Sequence, residues 1–170
     1  MKKLALLSLL ILVLAACASM NSGPSAIANL APASGQTAAG TVLLIQMADG
    51  SVDVKVDLTG VPAGVHGFHI HEKGDCGNNG GAAGMHFNPM TEAHGAPDAP
   101  PHHAGDFGNV TANDAGEVHT RFTTRSVTVD AGAKSAVDRA IILHADPDDL
   151  KTQPTGNAGA RIACGVVTLQ

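Results

Sequence analysis

The chain has 170 residues, with ten Lys and Arg against fifteen Asp and Glu, a formal charge of −5. This acidic balance argues against nucleic-acid binding, which depends on basic side chains that neutralise phosphates. The length fits one domain, and a chain without Trp or Tyr and with only four Phe must build its core from Val, Ile, Leu and Ala.

The N-terminus has the pattern of a secretory signal. Lys2 and Lys3 precede an apolar run over residues 4–16, which is too short to span a bilayer comfortably. We therefore expect residues 1–16 to be a signal peptide, and the mature chain to work in an oxidising compartment outside the cytoplasm.

The end of this run, Leu14-Ala15-Ala16-Cys17, resembles the bacterial lipobox, in which the Cys is acylated and becomes the first mature residue. It predicts a lipid on Cys17 that anchors the protein to a membrane in the periplasm or cell envelope. By resemblance to lipoprotein sorting, Ala18 in place of Asp favours the outer membrane over the inner one. The alternative is an ordinary signal peptide, cut near Ala16 or Ala18, that leaves Cys17 unmodified.

Residues 17–25 are mostly small or polar, the composition of a flexible tether between lipid and domain. We expect the folded domain to occupy residues 26–170, as a single unit without internal repeats.

Beyond the tether, apolar and polar residues alternate in short segments. In residues 52–58 every second residue is apolar, so Asp53, Lys55 and Asp57 should face water. Asp49-Gly50, just before this segment, is a dipeptide favoured by tight hairpin turns. The eight predicted strands are residues 26–33, 41–47, 52–58, 64–72, 105–111, 117–124, 140–144 and 161–169. Eight short strands predict an all-β sandwich or barrel.

Two long segments interrupt the strand pattern. Residues 74–105 and 145–160 are rich in Gly, Pro, Asn and Asp and have no sustained apolar periodicity. Loops of this length in a compact domain are usually disordered or functional. Six of the nine His lie between residues 68 and 104, which favours a functional role for the first loop.

The histidines have the spacing of metal ligands. His69 and His71 lie two residues apart in a predicted strand, so both imidazoles face one side and can reach one ion; a buried structural pair is the alternative. The further candidates along the chain are His86, His94, His103, Asp106 and His144. Clusters of imidazoles with one carboxylate suit borderline metals such as zinc and copper.

Four blocks of sequence resemble the copper/zinc superoxide dismutases, in the right order over residues 41–170. They are Gly67-Phe68-His69-Ile70-His71-Glu72, His86-Phe87-Asn88-Pro89, Gly105-Asp106-Phe107-Gly108-Asn109-Val110 and Gly156-Asn157-Ala158-Gly159-Ala160-Arg161-Ile162-Ala163-Cys164-Gly165. The resemblance implies an eight-stranded Greek-key barrel or sandwich of the immunoglobulin-like kind, with two long functional loops.

The resemblance also implies an oxidoreductase that converts two superoxide radicals into dioxygen and hydrogen peroxide, which would protect the cell envelope from oxidative damage. It implies one copper per subunit on His69, His71, His86 and His144, and one zinc on His86, His94, His103 and Asp106. In the family's reaction copper alternates between Cu(II) and Cu(I), while the bridging His86 leaves copper, takes up a proton and delivers it to the second superoxide. A homodimer is compatible with the resemblance but does not follow from it.

Two residues near the metals match further family positions. Arg161 matches the active-site arginine, a permanent cation that would hold superoxide beside copper; a surface arginine near a disulfide is the alternative. Asp148 matches the carboxylate that links copper and zinc ligands through hydrogen bonds, and Asp149 is its rival.

Three histidines are not expected to bind metal. His66 should be a packed, hydrogen-bonded structural residue, and His119, in an alternating strand, should face solvent. The family's three-residue step to Asp106 favours His103 over His102 as a zinc ligand.

With Cys17 assigned to lipid, Cys76 and Cys164 remain as an even pair in an oxidising compartment, and a disulfide between them is expected. Cys76 lies further from His86 than the corresponding residue of the animal enzymes, so this disulfide would follow a different loop path.

Two other functions are compatible with a β-sandwich. A periplasmic copper or zinc buffer on the same scaffold should lack a ligand or Arg161, but none of the seven ligand positions is missing. A structural or adhesive lipoprotein gives no reason for histidine at every ligand position.

Overall fold

A computed structural model of the chain describes residues 22–170, in which eight β-strands are connected by turns and two long loops. The strands are β1 (Ser22–Pro32), β2 (Ala39–Met47), β3 (Val52–Thr59), β4 (Gly64–His71), β5 (Asp106–Ala112), β6 (Val118–Thr124), β7 (Ala140–His144) and β8 (Arg161–Leu169). The helical structure of this range is one short 3-10 turn at Gly81–Ala83. In residues 22–170 no helix is both long and apolar enough to cross a bilayer. The predicted all-β class is confirmed.

The strands form one antiparallel sheet in the order β5-β4-β7-β8-β1-β2-β3-β6. β3 pairs with β6 and β4 pairs with β7, so the chain crosses between the two halves of the sheet instead of pairing each strand with the next. This is a Greek-key arrangement. The sheet curls until its two edge strands, β5 and β6, come into contact, which gives the nearly closed barrel that the resemblance implies.

The first strand begins earlier than the sequence predicts. Ser22 pairs with Met47 and Ser25 with Ile45, with an irregularity between the two pairs at Gly23-Pro24. Residues 22–25, predicted as part of the tether, therefore belong to the sheet, because a bulge accommodates the Gly and Pro that their composition associates with a flexible segment. The predicted signal peptide and Cys17 lie outside the described residues.

The core follows the predicted alternation with one exception. All four apolar residues of β3 are fully buried, and Lys55 between them is exposed. Asp53, predicted to face water, is only 5% exposed. The Arg121 guanidinium on β6 covers it, with Nε at 2.7 and 3.0 Å from its two carboxylate oxygens. Pairing with a cation on the neighbouring strand offsets the cost of burying this carboxylate.

The barrel presents two histidines on the outer face of β4. Phe68 and Ile70 point into the core, so His69 and His71 point the other way, towards the two long loops. The register aligns His69 with Ile142 of β7, which brings His144 at the end of β7 close to both. The fold therefore places both long loops over a cluster of histidines.

Candidate metal centre

Two clusters of potential metal ligands lie side by side under the long loops. The four-histidine cluster contains His69, His71, His86 and His144, and the carboxylate cluster contains His86, His94, His103 and Asp106. In each cluster the ligand atoms lie within 4.8 Å of one another, and all seven residues are buried. His86 is common to both, held by an antiparallel bridge to His71. The structure thus brings together every residue that the sequence singles out as a ligand.

Hydrogen bonds fix the rings of the four-histidine cluster. His69 donates from Nε2 to Asp148 Oδ2 (2.8 Å), and His71 donates from Nδ1 to the Gly84 carbonyl (3.0 Å). His144 Nδ1 lies 3.3 Å from the Gly159 carbonyl. In each of these three rings one nitrogen donates a hydrogen bond. The other nitrogen therefore carries no proton, and its lone pair can bind an ion at the centre of the cluster.

The distances between the potential ligand atoms are close to those expected if each cluster held one ion. Four donors placed tetrahedrally at 2.0–2.1 Å from zinc stand about 3.3 Å apart. His71 Nε2 and His144 Nε2 are 3.4 Å apart, and His86 Nδ1 and His103 Nδ1 are 3.5 Å apart. Asp106 oxygens lie 3.1 Å from His94 Nδ1 and 3.2 Å from His103 Nδ1. His86 Nδ1 and Asp106 Oδ1, at 2.7 Å, would have to separate by about 0.6 Å.

Buried nitrogens without partners support the same assignment. Among the described residues, His69 Nδ1 and His86 Nε2 are buried and make no hydrogen bond, and the side-chain partner of the buried His94 Nδ1 is the Asp106 carboxylate within its own cluster. Such atoms are costly unless a ligand satisfies them. His86 Nε2 faces the four-histidine cluster while its Nδ1 faces the carboxylate cluster, so one ring can serve two ions.

Asp148 joins the two clusters. Its Oδ2 accepts from His69 Nε2 and its Oδ1 lies 3.0 Å from His94 Nε2. Asp149 is exposed, and its carboxylate caps the turn at Lys151 and Thr152. The structure therefore places Asp148, and not Asp149, between a residue of one cluster and a residue of the other.

Burial and neighbouring carboxylates set the pKa values of several side chains in the two clusters. Burial lowers the pKa of His144 to about 3 and that of His86 to about 4, the latter although Asp106 accepts a hydrogen bond from its ring. These imidazoles are neutral at pH 7, as ligation requires. Burial alone would lower the pKa of His94 too, but the carboxylates of Asp106 and Asp148 outweigh it and raise that pKa to about 9. Bonds from three histidines hold the pKa of Asp106 far below its usual range despite burial.

Arg161 is fixed at the edge of the four-histidine cluster. Its guanidinium donates from Nη1 to the Gly80 carbonyl and from Nη2 to the Gly84 carbonyl, the latter at 2.5 Å. The same Gly84 carbonyl accepts from His71. The predicted disulfide between Cys76 and Cys164 is present and ties this loop to β8, three residues beyond Arg161. The different loop path still brings the two cysteines together.

The remaining histidines lie outside both clusters. His66 is buried, with its ring nitrogens 2.9 Å from the His144 carbonyl and 2.7 Å from the Pro62 carbonyl, so it is a structural residue as predicted. His119 is exposed beside Asp57, as predicted. His102 is half-buried, and it is His103 that joins the carboxylate cluster.

Three polar residues that hold the centre or its flanking residues were missed by the sequence analysis. Gln153 contacts the backbone of His94, and Asn109 contacts the backbone of Asp148. Arg139 donates to the Glu72 carbonyl and lies 4.5 Å above the ring of Phe87, the residue that follows His86 in the sequence. Asn109 lies within a block that carries the resemblance, so that block could have indicated it. Gln153 and Arg139 lie in no recognisable pattern.

These features define a β-barrel metalloprotein with two adjacent metal sites that share a histidine. The family model described as copper/zinc superoxide dismutase (SODC) matches residues 38–167, and the chain therefore belongs to that family. Among solved structures, one titled as a crystal structure analysis of the clock protein EA4 is similar to it, with 36% identity and a TM-score of 0.79. The match covers 86% of this chain and 94% of that one.

Membership and site geometry establish the activity together. The protein is an oxidoreductase that disproportionates superoxide into dioxygen and hydrogen peroxide, with copper and zinc as cofactors. The buried His clusters provide two metal sites of the kind this reaction needs.

Proposed function

We propose that this superoxide dismutase binds copper in the four-histidine cluster and zinc in the carboxylate cluster, and that it works in the cell envelope. The observation that carries the metal assignment is the buried carboxylate of Asp106, which lies in one of the two clusters only, while His86 belongs to both. A carboxylate suits zinc better than copper, and a shell of imidazoles accommodates both oxidation states of copper. The position of Asp106 therefore decides which cluster takes which ion.

When bound, copper supplies the one-electron redox change, and zinc supplies a positive charge that favours the imidazolate form of His86. The protein supplies the proton path and the binding of the anion. Nε2 of His86 is buried and has no partner among the described residues, so it is the atom that can hold a proton and release it to the product during turnover.

Arg161 binds the substrate in this proposal. Two of its N–H groups are used on the Gly80 and Gly84 carbonyls, which orients the guanidinium before superoxide arrives. Its other N–H groups can hydrogen-bond a small anion, and its charge attracts that anion. Because the guanidinium is already fixed, little side-chain entropy is lost when superoxide binds to it.

The envelope location rests on the sequence signal of residues 1–16 and on the predicted lipid on Cys17. The Cys76–Cys164 disulfide supports it, because structural disulfides persist in oxidising compartments. Cys17→Ser should change the protein from a detergent-partitioning form into a soluble or unprocessed one. Detergent partitioning unchanged by this substitution would exclude the lipid anchor.

The proposed function is tested on the purified protein after copper and zinc loading. Dismutation of superoxide that cyanide inhibits is expected when both metals are bound, and removing both with a chelator should abolish it. A metal-storage protein would instead hold both metals without catalysis. Light scattering on the same sample would show whether the subunits form a homodimer.

A further inference from the structure

The side-chain amide of Gln153 forms two hydrogen bonds with the backbone of His94, a residue of the carboxylate cluster. Gln153 Oε1 accepts from the His94 N–H at 2.9 Å, and Gln153 Nε2 donates to the His94 carbonyl at 2.8 Å. This pair of bonds resembles the pairing of two neighbouring strands. It ties the loop of residues 145–160 to the loop of residues 74–105, which are separated in sequence by β5, β6 and β7.

The side-chain amide of Asn109 forms the same pair of hydrogen bonds with the backbone of Asp148. Asn109 Oδ1 accepts from the Asp148 N–H at 2.7 Å, and Asn109 Nδ2 donates to the Asp148 carbonyl at 2.9 Å. Asn109 belongs to β5 and pairs with Gly67 of β4, the strand that carries His69. Asp148 is therefore held against the rigid sheet and not only by its own loop.

The two residues held by these amides, His94 and Asp148, contact each other. His94 and Asp148 meet through Nε2 and Oδ1 at 3.0 Å, and Asp148 reaches His69 as well. Gly156 closes the space around this contact, because a Cβ there would lie 1.7 Å from Asp148 Oδ1 and 2.6 Å from His94 Nε2. Both amides bind backbone atoms, so neither of them occupies His94 Nδ1, which faces Asp106 within the carboxylate cluster.

We propose that Gln153 and Asn109 are positioning residues that hold the His94–Asp148 pair in its metal-binding arrangement before zinc binds, and so set the zinc affinity. The proposal rests on the assignment of zinc to the carboxylate cluster. If either amide is removed, the loop segment that it holds is no longer fixed before zinc binds. Zinc binding must then also order that segment, and the entropy lost in doing so lowers the affinity. Loss of partners outside the ligand shell typically lowers metal affinity about 10- to 100-fold.

The test uses variants of the same shape as the native side chain. Gln153→Glu and Asn109→Asp keep the acceptor oxygen but place a carboxylate oxygen against a backbone carbonyl where an N–H donated. Zinc affinity of the metal-free full chain should fall about 10- to 100-fold in each variant. Copper affinity should fall less than zinc affinity in both variants, and less in Gln153→Glu than in Asn109→Asp, because Asn109 holds Asp148, which also contacts His69. Cobalt(II) bound in place of zinc should show an altered visible absorption spectrum.

Gln46→Glu is the matched control. Gln46 is a buried amide that donates to the Ser51 carbonyl (3.1 Å) and accepts from the Val129 N–H (2.9 Å), in the hairpin between β2 and β3, and it contacts neither cluster. This variant should lower the free energy of unfolding and leave the zinc affinity unchanged. The double variant Gln153→Glu/Asn109→Asp should lose less than the product of the single losses, because both amides act on one pair.

Each outcome decides the proposal. Zinc affinities within about twofold of wild type in both variants, or an equal loss in Gln46→Glu, would show that the amides only stabilise the loops and would overturn it. A wild-type protein that leaves the carboxylate cluster without zinc would instead overturn the metal assignment, and this proposal with it.

Discussion

Arg161→Ala is the substitution that separates anion binding from metal binding. Arg161 touches neither cluster as a ligand, and its guanidinium is held by the Gly80 and Gly84 carbonyls beside His71. Hydrogen bonds to charged groups contribute about 1.5–3 kcal/mol, so the dismutation rate should fall about 10- to 150-fold. Copper and zinc contents should stay near wild type, because all seven ligands remain.

Two control variants sharpen this prediction. Arg161→Lys keeps the charge but not the planar fork, so it should lose less activity than the alanine variant. Arg121→Ala removes the same charge from β6, away from both clusters. It should lower the free energy of unfolding, because the buried Asp53 loses its partner, but leave the rate per bound copper near wild type. Salt should slow the wild type more than Arg161→Ala, since screening weakens long-range attraction of the anion.

The assay is the cyanide-sensitive dismutation rate per bound copper, measured over a range of ionic strength. Full activity of Arg161→Ala at full metal content would refute the role of this guanidinium. Equal losses in Arg161→Ala and Arg121→Ala would mean that only the overall charge of the protein matters.

Three further predictions follow from the site. The variant Cys76→Ser/Cys164→Ser opens a loop closed over a separation of 88 residues, so the free energy of unfolding in denaturant should drop by about 2–5 kcal/mol. Asp148→Asn should weaken zinc binding about 10- to 100-fold, whereas Asp149→Asn, at the exposed turn, should not. In the metal-free protein His94, with its pKa raised to about 9, is protonated at pH 7, so zinc must displace a proton from it. The apparent zinc affinity should therefore rise about tenfold per pH unit from pH 7 to 9 and then level off.

Clear results would contradict each of these. Unchanged unfolding of the serine variant would mean that the disulfide does not constrain the unfolded chain. Equal zinc affinities in Asp148→Asn and Asp149→Asn would remove the bridging role of Asp148. Calorimetry in buffers of different ionisation enthalpy measures proton release, and no release at pH 7 would show that His94 is already neutral.

The sequence predicts the barrel well because alternation in strands reflects which face is buried. The pattern of β3 and the pair His69 and His71 both follow from this period of two. The pattern was wrong for Asp53, because the partner that compensates its burial, Arg121, lies 68 residues away on a strand paired only through the Greek-key crossing.

The ligands could be recognised, but the groups that hold them in place could not. A ligand must be a His or Asp, so its identity is visible in the sequence. Gln153 acts through an ordinary amide on the His94 backbone, a role that almost any polar loop residue could fill in some other geometry. Contacts of this type between two irregular loops have no periodicity and depend on the folded path of both segments.

The sharing of His86 and Asp148 between the clusters has a thermodynamic consequence. One imidazole belongs to both clusters and one carboxylate contacts a ring of each, so an ion bound in one cluster would change the affinity of the other for its ion. Reciprocity requires that zinc alters copper binding by the same factor as copper alters zinc binding, and such couplings are typically about 1–3 kcal/mol, or about 5- to 150-fold. The two metal contents of a population of molecules are therefore linked, and neither can be set independently of the other.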